Sequence, residues 1–427
     1  MTLLIVLMLV LMLLGMPIAH AMGLSALVYV VTCTDLSPMV VAQRICVGAD
    51  SMVLLALPFF LLAGEIMNAA GITQRLTRLA MALIGRPRGG LAYVVVAVNM
   101  LVAMVSGAAI ASAAAVGSTM VPMMTSKGYS RGYAAALNAA AATMGPIIPP
   151  SVGFIIYASV SGASVGKLFL AGTLPGILLG VLTLIVCAWI ARRDGHPAGE
   201  PHSRKEIWAS LRSAAPALLM PVIILGGIFG GLVTPTEAGA LAVGYGLLAG
   251  LVVYRTLKWS DLPGILLVTA RRTAAIMFIM ACASCFGFLI TREVDAGAFI
   301  GLFQSLTSSR AVLLLLLIGL ILALGTVMEV GSIMIILTPL LLPVLAAYKI
   351  DVVHFGVVFQ MGIMIGLLTP PVGMLLFVLA GTTGVPVRTI LRHMRPFYAM
   401  LVILLLVIAF VPELSLVLLE GTGGRLK

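Results

Sequence analysis

Apolar residues dominate this chain in long runs, at roughly 2–33, 51–69, 91–125, 132–160, 167–191, 214–232, 236–254, 273–290, 311–345, 354–381 and 396–420. Runs of about 20 apolar residues predict membrane-crossing helices. Four of the runs do not read as simple crossings. Segments 91–125 and 311–345 are too long for one span and are interrupted midway, at Val105-Ser106-Gly107 and at Gly325-Thr326. Each predicts a helical hairpin that enters and leaves on one side. Segments 132–160 and 354–381 are interrupted by Gly145-Pro146-Ile147-Ile148-Pro149-Pro150-Ser151 and by Gly366-Leu367-Leu368-Thr369-Pro370-Pro371-Val372-Gly373. A double proline removes two backbone donors, so each predicts a broken helix that still crosses. Residues 2–33 fit one long helix or two short ones turning at Gly15-Met16-Pro17.

The interruptions recur at a fixed interval. Pro149 and Pro370, Gly145 and Gly366, and Pro122 and Pro343 are each 221 residues apart, and Pro17 matches Pro235 at 218. The chain therefore reads as a duplication: a first repeat over 1–195, a connector over 196–211 and a second repeat over 212–427.

Composition agrees: 62% of the 427 residues are hydrophobic and 9% charged. That excludes a soluble enzyme or a nucleic-acid-binding domain and places the chain in a lipid bilayer. The formal charge of +11 then orients the chain. With 70–90 on the cytoplasmic side, eighteen basic residues fall inside and seven outside (Arg44, Lys167, Arg292, Arg310, Lys349, Arg425, Lys427), the bias expected of a correct topology. The first hairpin then opens to the cytoplasm and the second to the exterior. The repeats are inverted, an organisation shared by secondary transporters whose site lies near the bilayer midplane.

Unwound backbone at membrane depth costs several kcal/mol per unpaired group unless protein, water or an ion meets it. Carbonyls at half-helix ends suit Na⁺, and half-helix N-termini suit a carboxylate. Two related sodium sites are expected. One joins Ser106 and Gly107 to the break from Gly145 to Pro149; the other joins Gly325 and Glu329 to the break from Gly366 to Thr369. Acids inside apolar runs are Glu65, Glu237 and Glu329. Glu329 adjoins the second hairpin tip and is the best candidate for function. Glu237 follows Pro235, where an acid also favours a helix N-terminus. Glu65 reads as structural. Arg292, at the outer end of its helix, is a candidate for a substrate carboxylate or an interfacial anchor. Substrate contacts are expected from Arg292, Glu329 and Ser106.

Other motifs carry less. Cys282-Ala283-Ser284-Cys285 lies in an apolar helix with no basic residue to stabilise a thiolate. Gly162-Ala163-Ser164-Val165-Gly166 has no strand before it, so it is not a nucleophile elbow. Gly166-Lys167 is followed by Leu168 rather than the Ser or Thr of a P-loop, and no ATPase motif is present. Ala19-His20-Ala21 follows an apolar run with no preceding Lys or Arg, so cleavage there is not expected.

These segments together resemble the large permease subunit of the TRAP (tripartite ATP-independent periplasmic) transporters over nearly the whole chain. The resemblance rests on Pro58–Glu65 (Pro-Phe-Phe-Leu-Leu-Ala-Gly-Glu), Val105–Gly107, Gly145–Ser151, Thr234-Pro235-Thr236-Glu237-Ala238 and Gly366–Gly373. It implies an all-α polytopic protein of the bacterial inner membrane, with hairpins and broken helices in an elevator-type moving domain. It implies Na⁺-coupled import of an organic acid such as a C4-dicarboxylate or sialic acid, with no cofactor and no enzymatic activity. It implies two partners, a small four-helix membrane subunit and a periplasmic substrate-binding protein. The family's sodium-site segments match the two tips and breaks, and Arg292 matches a family arginine on the external side. Two positions depart: Glu329 stands where Asp is usual, and Gly362 where many members carry Asn. A self-sufficient Na⁺/carboxylate symporter is the alternative within transport. A channel sits poorly with the inverted duplication.

The orientation is testable by labelling. In a cysteine-free chain, Arg88→Cys and Lys127→Cys are expected to react with a membrane-impermeant maleimide only in inside-out vesicles, and Lys349→Cys only in right-side-out ones. Reaction of all three from one side overturns the inversion.

Overall fold

The computed structural model describes residues 2–199, 201–293 and 296–420. Arg425 and Lys427, assigned above to the exterior, lie outside the described residues. Among the described residues every regular element is helical. Seven helices are long and apolar enough to cross a membrane singly, and a bent pair, Ala56–Ala69 with Ile72–Ile84, makes an eighth. Shorter apolar helices join across turns and breaks. The protein is an all-α polytopic membrane protein.

Residues 2–33 form two helices, Thr2–Leu13 and Ile18–Cys33. Gly15 turns the chain at φ +86°, and Pro17, at the N-cap of the second helix, has no N–H to extend the first. The first long run becomes the hairpin Gly90–Ser106 and Ala109–Ser126, and its counterpart the hairpin Arg310–Gly325 and Val330–Ala347. The prolyl segments break two helices, Arg131–Ala142 from Val152–Ser161 and Val352–Gly366 from Met374–Thr383. Both Pro-Pro bonds are cis. The succession then closes with Val165–Arg193 in the first half and Val387–Phe410 in the second.

Three further helices escape a reading by long apolar runs: Met39–Ala49, Ile72–Ile84 and Ala296–Leu306. Shifting Ile72–Ile84 by 221 residues gives 293–305, where Ala296–Leu306 lies. Ile72–Ile84 is amphipathic, burying Ile72, Leu76, Leu79 and Ala80 while Gln74 and Arg78 stay exposed. That periodicity suits a helix with one face on protein. It leaves Ala56–Ala69 at a bend of 67°, turned by Gly71 at φ +76°.

The halves interlock through glycines. A Cβ at Gly356 would stand 2.6 Å from the Tyr157 ring, and one at Gly153 would stand 2.2 Å from Gln360 Oε1. The two broken helices therefore cross nearly backbone to side chain, as small residues permit in membranes. Tyr157 adds a bond across the crossing, donating its hydroxyl to the Val352 carbonyl at 2.8 Å. Each hairpin also reaches the opposite half: Gly117 lies against Leu379, and Gly331 against Ile156. Within the first half, a buried clasp holds the hairpin. Asn99 on one arm donates to Asn138 Oδ1 at 3.0 Å, and Asn138 on the broken helix donates to the Ala113 carbonyl of the other arm at 2.9 Å. Interhelical bonds of this kind contribute about 0.6–2 kcal/mol each.

The tightest approach pairs Gly325 with Gly366, where a Cβ on Gly366 would stand 2.6 Å from Gly325 Cα. Gly366→Ala must therefore push backbone from backbone, at a cost of about 1–3 kcal/mol. Thermal unfolding of the purified protein should show it, while Gly319→Ala, which meets nothing within 4 Å, should unfold at or above the parent temperature.

Candidate functional site

Both hairpin tips rest on a helix break. At the first, Gly90–Ser106 ends when Gly107 adopts φ +59° and its N–H bonds the Ala103 carbonyl. A Cβ on Gly107 would meet the Pro150 carbonyl oxygen at 2.7 Å, and one on Gly145 would meet the Ala108 carbonyl carbon at 3.2 Å. Gly107 and Gly145 thus permit the tip Ser106–Ala108 to lie directly on the segment Gly145–Pro150. That break is buried throughout. Ser151 closes it, accepting from Phe154 N as the cap of Val152–Ser161 and donating back to the Pro146 carbonyl. Ser106 Oγ lies 2.9 Å from Ser112 Oγ, so two hydroxyl oxygens sit at the tip.

At the second tip the contact is Gly325 on Gly366, supplemented by a bond from Gly373 N to the Thr326 carbonyl at 3.1 Å. The Thr369 hydroxyl donates to the Ile365 carbonyl at 2.8 Å, which leaves its oxygen lone pairs for another partner. Tyr398 donates its hydroxyl to the Leu368 carbonyl. The two breaks are unequal. Pro149 and Pro150 are buried, whereas Pro370, Pro371 and Val372 are exposed. The second exposes its prolines and turns its leading residues, Gly366 to Leu368, inward. Met374–Thr383 occupies the space behind it, with Leu375 and Leu376 buried.

A cavity does lie between the halves. It is lined by Gly107, Ala108 and Ile110 of the first tip, by Pro146 and Val152 of the first break, and by Glu329 and Gly331 of the second hairpin; Met364 and Leu367 complete it from the second broken helix. Three helix N-termini end at its wall, those of Ala109–Ser126, Val152–Ser161 and Val330–Ala347. Unpaired amides and dipoles at such ends favour an anion. Glu329 is the N-cap residue of its helix and makes no capping hydrogen bond. The structure thus brings Gly107 and Glu329 to one cavity, across the repeat boundary. Gly325, Gly366 and Thr369 cluster at the second seam. Gly362, where the resemblance led one to expect Asn, lets Ile321 of the hairpin approach to 2.8 Å of its Cβ position.

A second, smaller cavity of about 50 Å³ lies on the other side of the first tip. Ser106, Ala108 and Val105 line it together with Glu65, Asn68, Thr73 and Arg272. Glu65 forms an ion pair with Arg272. Neither was read from the sequence as part of the site. Arg272 looked like a charge just ahead of an apolar run starting at 273, yet the helix begins at Leu262 and runs to Glu293, which puts Arg272 well inside it. Arg292 is exposed near the far end of the same helix, about 30 Å of helical rise from Arg272. Glu237 closes a capping box with Thr234 on an exposed surface.

Discontinuous helices meeting at a central cavity, in an inverted repeat of membrane-spanning elements, define a multi-pass membrane transport protein. The family profile described as "Tripartite ATP-independent periplasmic transporter, DctM component" matches residues 5–414, and the chain belongs to that family. It is 40% identical over 408 residues to the 2,3-diketo-L-gulonate TRAP transporter large permease protein YiaN of Escherichia coli, covering 95% of this chain and 96% of that one. It is 38% identical over 406 residues to the sialic acid TRAP transporter large permease protein SiaM of Vibrio cholerae, covering 95% of each. A crystal structure of the Alcanivorax borkumensis YdaH transporter shares the fold at TM-score 0.58 and 18% identity, over 90% of this chain and 88% of that one.

Because Glu329 caps nothing with its side chain, Glu329→Gln is expected to shift stability by under about 0.5 kcal/mol while lowering substrate uptake at least about tenfold. Thermal unfolding and vesicle uptake on the same preparation check both halves of that expectation.

Proposed function

We propose that this chain is the permease subunit of a sodium-driven importer of small organic acids in the bacterial inner membrane. It works with a small four-helix membrane subunit and with a periplasmic binding protein that delivers the substrate. One observation carries the reading: hairpin tips from both halves, together with both broken helices, line a single cavity. Relatives named for 2,3-diketo-L-gulonate, sialic acid and C4-dicarboxylate supply the substrate class, since all three are carboxylates. Their names are transport names, and we read this chain as a carrier rather than an enzyme.

The two tip-on-break seams are the sodium sites in this reading. Na⁺ is a hard cation that takes oxygen ligands. Carbonyls crowd each seam, with those of Ala108 and Pro150 near Gly145 and Gly107, and those of Leu322 and Ile363 near Gly366 and Gly325. Ser106 and Thr369 add hydroxyl oxygens at the same places. Sodium bound in a seam bridges these oxygens and holds each tip closed on its break. The three helix N-termini at the central cavity then receive the carboxylate. The hairpins and broken helices move together as the elevator, and sodium binding makes the closed seams the state that moves.

The test is uptake by proteoliposomes holding the assembled membrane subunits, with succinate, sialic acid and 2,3-diketo-L-gulonate as probes. Accumulation is expected only with an inward Na⁺ gradient and the cognate binding protein present. Accumulation by this chain alone overturns the three-component reading in favour of a self-sufficient symporter. Thr369→Val is expected to raise the sodium concentration for half-maximal uptake about tenfold, equivalent to about 1.4 kcal/mol; an unchanged sodium dependence removes Thr369 from the site.

A further inference from the structure

The helix Val387–Phe410 carries an exposed stripe that changes character along its length. Arg388, Arg392 and Arg395, spaced four and three residues apart, share one helical face and are exposed. The same face continues through exposed Val402, Ile403, Val407 and Phe410. The opposite face, with Ile390, Met394, Phe397 and Leu401, is buried. The basic end borders a surface recess of about 680 Å³, lined by the three arginines with Thr389, Leu391 and His393. Packing fixes the back of the recess. Gly132 brings another helix against Thr389 and His393, where a Cβ would stand 2.5 Å from His393 Nδ1, and His393 is tied to the Thr389 carbonyl at 2.9 Å.

Nothing within the fold answers this charge. Among the described residues no acid forms an ion pair with Arg388, Arg392 or Arg395, and Asp194, close enough to His393 to feel its charge, is held by Arg193 at 2.7 Å. The helix has no acid in its first turn, and its N-cap residue, Pro386, makes no side-chain capping bond. An N-terminus with unpaired amides favours an anion and disfavours a cation such as Arg388. The duplication does not require the arginines either: 221 residues earlier stand Lys167, Ala171 and Leu174. The three charges therefore stand in a helix, on one face, without an internal partner.

We propose that this face seats an anionic phospholipid, with its phosphate on Arg388, Arg392 and Arg395 and its acyl chains along Val402, Ile403 and Val407. Guanidinium forks match phosphate oxygens in two-point contact, and basic pockets at the cytoplasmic ends of membrane helices suit acidic headgroups. The dimensions agree. Val402 to Val407 lie about 10–18 Å of helical rise beyond Arg395, comparable with the hydrocarbon depth of one leaflet, about 15 Å. A soluble anion would use the arginines and leave the apolar half of the stripe without a role. The charge-based orientation puts the arginines at the cytoplasmic leaflet, and the inference is independent of which solute the protein carries.

The experiment is native mass spectrometry of the purified, delipidated full chain in detergent, titrated with palmitoyl-oleoyl-phosphatidylglycerol. The zwitterionic control is palmitoyl-oleoyl-phosphatidylcholine, and glycerol phosphate serves as a headgroup without tails. Phosphatidylglycerol is expected to bind at least about tenfold more tightly than phosphatidylcholine, and millimolar glycerol phosphate to leave it in place. Replacing Arg388, Arg392 and Arg395 together by Gln is expected to lower that affinity at least about tenfold. Arg392→Gln and Arg395→Gln alone are expected to lower it a few-fold each, which keeps the test open if the triple variant is unstable. Arg204→Gln, Lys205→Gln and Arg212→Gln, combined, remove the same charge from exposed positions on the same side and are expected to leave the affinity at the parent value. Equal loss in this control set reduces the effect to overall charge and overturns the proposal. Displacement of the lipid by glycerol phosphate makes the recess a site for soluble anions and overturns it too. If the triple Gln variant keeps its lipid affinity but loses a co-purifying membrane subunit, the face is a protein interface and the lipid assignment fails. None of these readouts depends on uptake.

Discussion

The backbone cannot end inside hydrocarbon without a partner, and the architecture of this protein follows from that constraint. Two hairpin tips and two helix breaks leave amides and carbonyls unpaired at membrane depth, each worth several kcal/mol if it faced lipid. The solution is to set tip on break. Gly107 admits Pro150, Gly145 admits Ala108, and Gly325 and Gly366 admit one another. A methyl group at any of these places would open the seam. The same crowding brings carbonyl oxygens of tip and break together, those of Ala108 and Ile363 also accepting from Ser112 N and Leu367 N.

The halves solve the problem together rather than separately. The second arm of each hairpin packs on the broken helix of the opposite repeat, through Gly117 with Leu379 and Gly331 with Ile156. The two broken helices cross at Tyr157 with Gly356 and at Gln360 with Gly153. The central cavity is therefore a property of the duplication, since neither half lines it alone. Yet the halves have diverged. One break is buried and the other exposes Pro370 and Pro371, and the ion pair of Glu65 with Arg272 has Phe286 and Ser51 at the positions 221 residues away. A carrier must present its site to two sides in turn, and such inequality between related parts is how a symmetric plan holds an asymmetric state.

Hairpins, breaks and the 221-residue interval are all visible in the chain because proline and glycine act locally. A Pro-Pro pair removes two donors whatever surrounds it, so the discontinuities at Pro149 and Pro370 are legible without any tertiary information. The short helices Met39–Ala49, Ile72–Ile84 and Ala296–Leu306 are not, because at 11 to 13 residues each is shorter than a membrane span, and Ile72–Ile84 is apolar on one face alone. The setting of Arg272 is hidden for a related reason: it stands where an apolar run begins, and only the three-dimensional path shows the helix starting ten residues earlier, at Leu262. The partnership of Glu65 with Arg272 spans 207 residues and has no local trace. The unequal exposure of the two prolyl segments belongs to the packing of whole helices, which residue spacing does not encode.

The asparagine clasp has a consequence for biogenesis. A re-entrant hairpin has no resting place in lipid by itself, because its turn would sit unpaired in the bilayer until something covers it. The Asn99 amide nitrogen and the Ala113 carbonyl are paired with Asn138, and Gly107 is covered by Pro150, both on the very next segment to leave the ribosome. The second hairpin is likewise followed at once by Val352–Gly366, which carries Gly366. Gene order thus delivers each cover immediately after the turn that needs it, so the interval in which a growing chain shows raw turns to the translocon is as short as linear synthesis allows.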